Sequence, residues 1–175
     1  MLGLTILGTL HTAISLVAVI AGVVAFFRYK GISFRTGAGK VYVILTVVTC
    51  LTGFGIFQHG GFGIPHALGI VTLIVLAIAA TAGAAWWFGR LSPYVETVSY
   101  SLTFYFHMIP GVTETSTRLP IGAPFFPGPE APELRIILGA LFAVYLIGAT
   151  MQVLWLRSNN RRASPRDWPR EKAWL

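Results

Sequence analysis

The chain has 175 residues, of which 55% are hydrophobic and only 11% charged, with a mean hydropathy of +0.72. A soluble domain carries about 25% charged residues, so this composition excludes an ordinary soluble enzyme and points to a membrane. The net charge of +7 sits beside apolar runs, where basic residues set orientation and meet lipid headgroups rather than nucleic acid.

Several apolar runs reach the ~20 residues that cross a hydrocarbon core of about 30 Å. The first, residues 4–27, has no basic region before it and is too long for the core of a signal peptide, so it is predicted as a retained span. It carries His11 on a stripe with Gly8, Thr12, Ser15, Ala18 and Gly22, a small and polar face expected to pack inward. A basic loop follows, with Arg28, Lys30, Arg35 and Lys40. Its "GAGK" at 37–40 lacks the length and the following Ser or Thr of a phosphate loop.

The second span is predicted over 41–58, with Thr46, Thr49 and Gly53 on one face. Its single cysteine, Cys50, excludes a disulfide framework and a thiolate cluster. The turn "FQHGGFGIPHALG" at 57–69 carries His59 and His66 and leads into a third span over 66–88. There "AIAATAGAA" reads as helix packing and "WWFGR" as an interfacial aromatic belt.

The fourth span is predicted over 93–108, opened by Ser92–Pro93 and stopped by Pro110–Gly111. Glu96, Tyr100, Thr103 and His107 recur at three- and four-residue spacing and so share a face, a candidate proton path. The plainer role for Glu96 is a pair with Arg90 near the membrane rim. Residues 109–133, rich in proline and glycine, are expected to be a long loop folded over one membrane face. The fifth span is predicted over 134–156. The basic tail 158–175, with Trp168 and Trp174, is expected to lie on anionic headgroups.

These readings give an all-α membrane protein, a bundle of about five transmembrane helices over residues 1–157 followed by the tail. Arg28, Lys30, Arg35, Lys40, Arg90, Arg157 and the five basic residues of the tail fall on one side, against Arg118 and Arg135 on the other. The positive-inside rule then sets the N-terminus outside and the C-terminus in the cytoplasm of a bacterial inner membrane.

In that topology His11, His59, His66 and His107 all belong to the outer third of the membrane, on four different helices. Neutral imidazole suits iron, copper and zinc. Two axial histidines could hold a b-type haem, with Gly8, Gly53, Gly55, Gly63 and Gly69 flanking the macrocycle. Three or four histidines, with Glu114 as a carboxylate, would instead suit Zn or Cu. Bacteriochlorophyll would need one histidine for its magnesium. The bland roles are a solvated turn for His59 and His66, and polar packing between helices for His11 and His107.

The stretch "FRTGAGKVYVILTVVTCLTGFGIFQHGGFG" resembles a bacterial family of small polytopic membrane proteins of unassigned activity. The likeness covers roughly residues 1–85: His11 in the first span, Gly39-Lys40-Val41-Tyr42-Val43 opening the second, then Thr52-Gly53. Where members carry His-Arg before that glycine, this chain has Arg35-Thr36. The resemblance implies the topology and no activity.

The function expected from the residues is redox: a haem or metal at His11 and His107, joined by His59 and His66, exchanging electrons with quinone or an outside partner. The alternative is an accessory subunit of a respiratory or photosynthetic complex, without a cofactor, docking on other membrane subunits through its loop, tail and small-residue faces.

Overall fold

The computed structural model describes residues 5–57, 61–85 and 87–162, and over these the chain is helical, with no strand. Five helices follow in order: α1 Ile6–Tyr29, α2 Gly37–Gly53, α3 Ile64–Ala85, α4 Ser92–Arg118 and α5 Pro132–Arg162. A 3-10 turn, Gly89–Leu91, leads into α4. Helices α1, α3 and α5 are long and apolar enough to span a membrane, the mark of a membrane protein. Helix α2 is apolar but has 17 residues, about 25 Å at ~1.5 Å per residue.

Local chemistry sets the boundaries. Thr5 caps α1 by accepting the Gly8 N–H, and the helix ends at Lys30 in the left-handed region, φ 64°. Thr36 caps α2 by accepting the Gly39 N–H at 3.1 Å. A Cβ on Gly39 would stand 1.9 Å from the Ser33 carbonyl oxygen, so "GAGK" is a helix start closed tightly against its own loop. Pro93 sits in the first turn of α4, where its missing N–H costs nothing.

The end of α4 departs from expectation. The helix continues through Pro110 to Arg118 instead of stopping there, so the loop before α5 is shorter than the expected 109–133. A proline removes one N–H, and the added turns are bound in other ways. Thr113, Ser116 and Thr117 hydroxyls donate to the carbonyls four residues earlier, and Arg118 pairs with Glu114 across one turn. Helix α5 likewise begins at Pro132 and runs to Arg162, beyond the predicted 134–156. The tail after Arg162 lies outside the described residues.

Helix α4 is the hub. It packs on α3 and α5 and touches α1, while α1 lies along α2, and α2 along α3. Helices α1 to α4 thus enclose a core with α2 and α4 at opposite corners, and α5 packs on α4 alone among the helices. Small residues allow this closeness: Ala18, Ala25 and Ala79 are fully buried, and the Phe104 ring lies where a Cβ on Gly22 would be. Tyr42 and Tyr100 fill the centre, both with no exposed surface.

Candidate functional site

The polar face of α4 turns into the bundle. Glu96, Tyr100, Thr103 and His107 are all buried, and α2 answers with buried Tyr42, Thr46 and Thr49. In so apolar a protein this is a polar seam along the diagonal of the core.

At its middle, the Thr103 hydroxyl donates to the Tyr100 carbonyl at 2.8 Å, leaving its oxygen to accept the Tyr42 hydroxyl, also at 2.8 Å. One turn further along, the Thr46 hydroxyl donates to the Tyr42 carbonyl at 2.7 Å. Its single proton is used there, so at 3.0 Å His107 Nε2 must be the donor. That fixes the tautomer and leaves the lone pair on His107 Nδ1. The same logic holds for His11. The Thr52 hydroxyl donates to carbonyls of its own helix, so His11 Nδ1 donates to it at 3.1 Å and Nε2 keeps its lone pair. Both rings are oriented by a threonine of α2, and His11 also meets the Thr49 backbone of that helix, the kind of support that holds a ligating histidine.

The two threonines are six residues apart, which separates the anchoring points by about 9 Å along α2. Glu114 acts electrostatically on His11, though its carboxylate is exposed and paired with Arg118.

His66 has another role. In the first turn of α3, its Nδ1 accepts the Gly63 N–H at 3.2 Å, and its ring lies between Phe57 and Phe62 with centroids 5.1 Å from each. Its proton is therefore on Nε2, which is buried and without a partner. It orders the turn before α3. Among the described residues no three of His, Cys, Asp and Glu come together as a metal-ion site, so His11, His66, His107 and Glu114 do not converge on one ion. His59 lies outside the described residues. Three of the glycines read as macrocycle flanks are covered by side chains: Gly53 by the His11 ring, Gly55 by Leu7 and Gly69 by Phe54.

The other end of the seam is built around Glu96. Ser33, in the loop after α1, donates to Glu96 Oε1 at 2.8 Å, and Arg35 Nη1 stands 3.9 Å from Oε2. Arg35 also donates to the Gly83 carbonyl near the end of α3, where a cation suits the helix dipole. Thus Glu96 pairs with Arg35, not with Arg90. Gly83, inside the run read as packing, makes the space: its Cβ would lie 2.7 Å from the Glu96 carboxyl carbon. Tyr100, one turn above Glu96, has a buried hydroxyl with no hydrogen-bond partner, within electrostatic range of Glu96 and of Tyr42.

Sequence reasoning found the face of α4 and Thr46 on α2. It missed Tyr42, Ser33, Arg35 and Thr52. An intramembrane tyrosine was a signal worth reading, because its hydroxyl needs a partner; the loop residues left none, as only the fold of 30–36 brings them under the bundle. In comparisons with known proteins, no family model, curated protein or solved structure matches this chain.

Proposed function

We propose that this chain is a redox protein of the bacterial inner membrane, crossing it five times with its N-terminus outside. Eleven of its 13 Lys and Arg residues support that orientation. In it, His11 and His107 approach the outer side, and Glu96 with Arg35 lies at the cytoplasmic rim. The observation that carries the reading is the state of the two intramembrane histidines. Each is bonded through one ring nitrogen to a threonine hydroxyl of α2, so that a ligand would take the other.

Such nitrogens can take an axial position on a haem iron or bind a copper or zinc ion. A macrocycle would have to displace the side chains now covering Gly53, Gly55 and Gly69. When bound, that group would supply electron transfer, with quinone or an outside protein as partner. The chain's own residues supply orientation and protons. Thr46 and Thr52 hold the imidazoles, and the seam from Glu96 past Tyr100, Thr103 and Tyr42 lines the way for a proton that balances an electron.

The test is an absorption spectrum of the purified full chain, oxidised and dithionite-reduced, with metal analysis of the same sample. A reducible haem band, or stoichiometric metal, lost in both His11→Ala and His107→Ala, is the expected result. A colourless, metal-free protein overturns it.

One observation favours the second reading, an accessory subunit without cofactor. Helix α5 packs on α4 alone among the helices and leaves Ile136, Val144, Ile147 and Met151 exposed along its length. Such a subunit purifies with other membrane subunits and is colourless by itself.

A further inference from the structure

One opening in the structure lies away from the histidines. A cavity of about 610 Å³ lies between α1, α4 and α5, walled by Phe26, Phe104, Met108, Tyr145, Gly148 and Trp155. Its size falls in the ~300–1,000 Å³ range of small-ligand sites, and its wall is almost wholly hydrocarbon. One end is tied shut by a polar knot: Ser101 donates to Gln152 Oε1 at 2.8 Å, and Gln152 Nε2 donates to the Lys30 carbonyl at 3.0 Å. No carboxylate lines the cavity, and at the knotted end stands the exposed Lys30, with Arg28 in the last turn of α1 and Arg157 five residues beyond Gln152.

These facts select the occupant. A transmembrane helix of a partner is too wide, at ~10 Å across with side chains, and far exceeds the volume. A neutral quinone ring would leave the cations at the knotted end without a partner. What fits is a long alkyl chain in the cleft and an anionic head beside cations at the membrane rim.

We propose that this cleft binds one anionic phospholipid, an acyl chain between α4 and α5 and its phosphate at Lys30. The lipid completes the packing of α5, which otherwise rests on α4 and on the Gln152 bond to Lys30. The site is separate from the histidines, so it stands or falls independently of the redox reading.

Native mass spectrometry of the full chain, exchanged between vesicles of phosphatidylglycerol and phosphatidylcholine, tests this. The wild type is expected to retain one phosphatidylglycerol through exchange into phosphatidylcholine. Gly148→Phe fills the cleft, and since nothing lies within 4 Å of a Cβ at Gly148, it should fold with unchanged circular dichroism and elution. It should lower phosphatidylglycerol retention about tenfold. Lys30→Gln keeps the cleft and should reduce the preference for phosphatidylglycerol about fivefold, the effect of one cation near a membrane surface. Equal retention in the wild type and the folded Gly148→Phe variant overturns the site. Equal retention of both lipids by the wild type overturns the headgroup assignment, and a co-purified neutral quinone in the cleft overturns the occupant.

Discussion

Towards α2, helix α4 presents Glu96, Tyr100, Thr103 and His107, and most polar atoms there find a partner within the bundle. Towards α5 the same helix presents Ser101, Tyr105 and Met108 around a cavity of about 610 Å³. One face is closed by specific hydrogen bonds, the other by ring contacts, the Tyr105 centroid lying 5.4 Å from that of Phe142 and 5.9 Å from that of Tyr145, with space left over. The difference follows from the solvent. In lipid, apolar surfaces gain nothing by leaving an equally apolar environment, so helices associate through small residues and polar contacts. The seam has both and is tight; the α4–α5 side has few of either and stays open.

The sharpest way to break this contrast is to add the same methyl group on each side. Gly39 anchors the loop beneath the seam, and an added Cβ would meet backbone at 1.9 Å, whereas at Gly148 it would meet nothing within 4 Å. Gly39→Ala is expected to cost about 3 kcal/mol or more, through overpacking that cannot relax. Gly148→Ala should leave thermal unfolding in detergent unchanged. Equal melting temperatures for the two variants would mean that the tightness of the seam end is not real.

Next in size is Thr46→Val, which preserves shape but leaves the His107 N–H without its acceptor. Stranding a buried donor costs about 1–3 kcal/mol, and the same circular-dichroism melt checks it. Tyr42→Phe should cost less, about 1 kcal/mol, since Thr103 still donates to the Tyr100 carbonyl. If Tyr42→Phe were the more damaging, the tyrosine rather than the threonine–histidine bond would organise the seam.

How much of this was readable beforehand depends on the range of the interaction. The three- and four-residue rhythm of Glu96, Tyr100, Thr103 and His107 is local geometry, and it gave the buried face of α4. Helix type, too, was legible from apolar runs. The stop at Pro110 was not, because a proline removes a single backbone N–H while the ladder on either side of it runs on to Arg118. Nor could spacing reveal that Gly83 makes room for Glu96, or that Ser33 reaches it from 63 residues away. Those facts belong to the docking of a loop under three helices. His66 shows the same limit: its type suggested a ligand, and its hydrogen bond to Gly63 makes it the brace of a turn.

The Glu96 end offers the finest comparison, between two loop residues that hold one carboxylate. Ser33 gives it a direct hydrogen bond at 2.8 Å, while Arg35 approaches only to 3.9 Å with its own side chain 64% exposed. Formal charge would make Arg35 the stronger partner. Physics favours the serine, because an exposed ion pair at that distance is screened and contributes about 0–1 kcal/mol, whereas a hydrogen bond to a buried charged group is worth about 1.5–3 kcal/mol. Ser33→Ala should therefore destabilise the protein more than Arg35→Gln, and raising the salt concentration should weaken the effect of Arg35→Gln while leaving that of Ser33→Ala nearly unchanged. The reverse order would mean that Arg35 lies over Glu96 more closely in the membrane, sealing the seam from water at that rim rather than merely standing beside it.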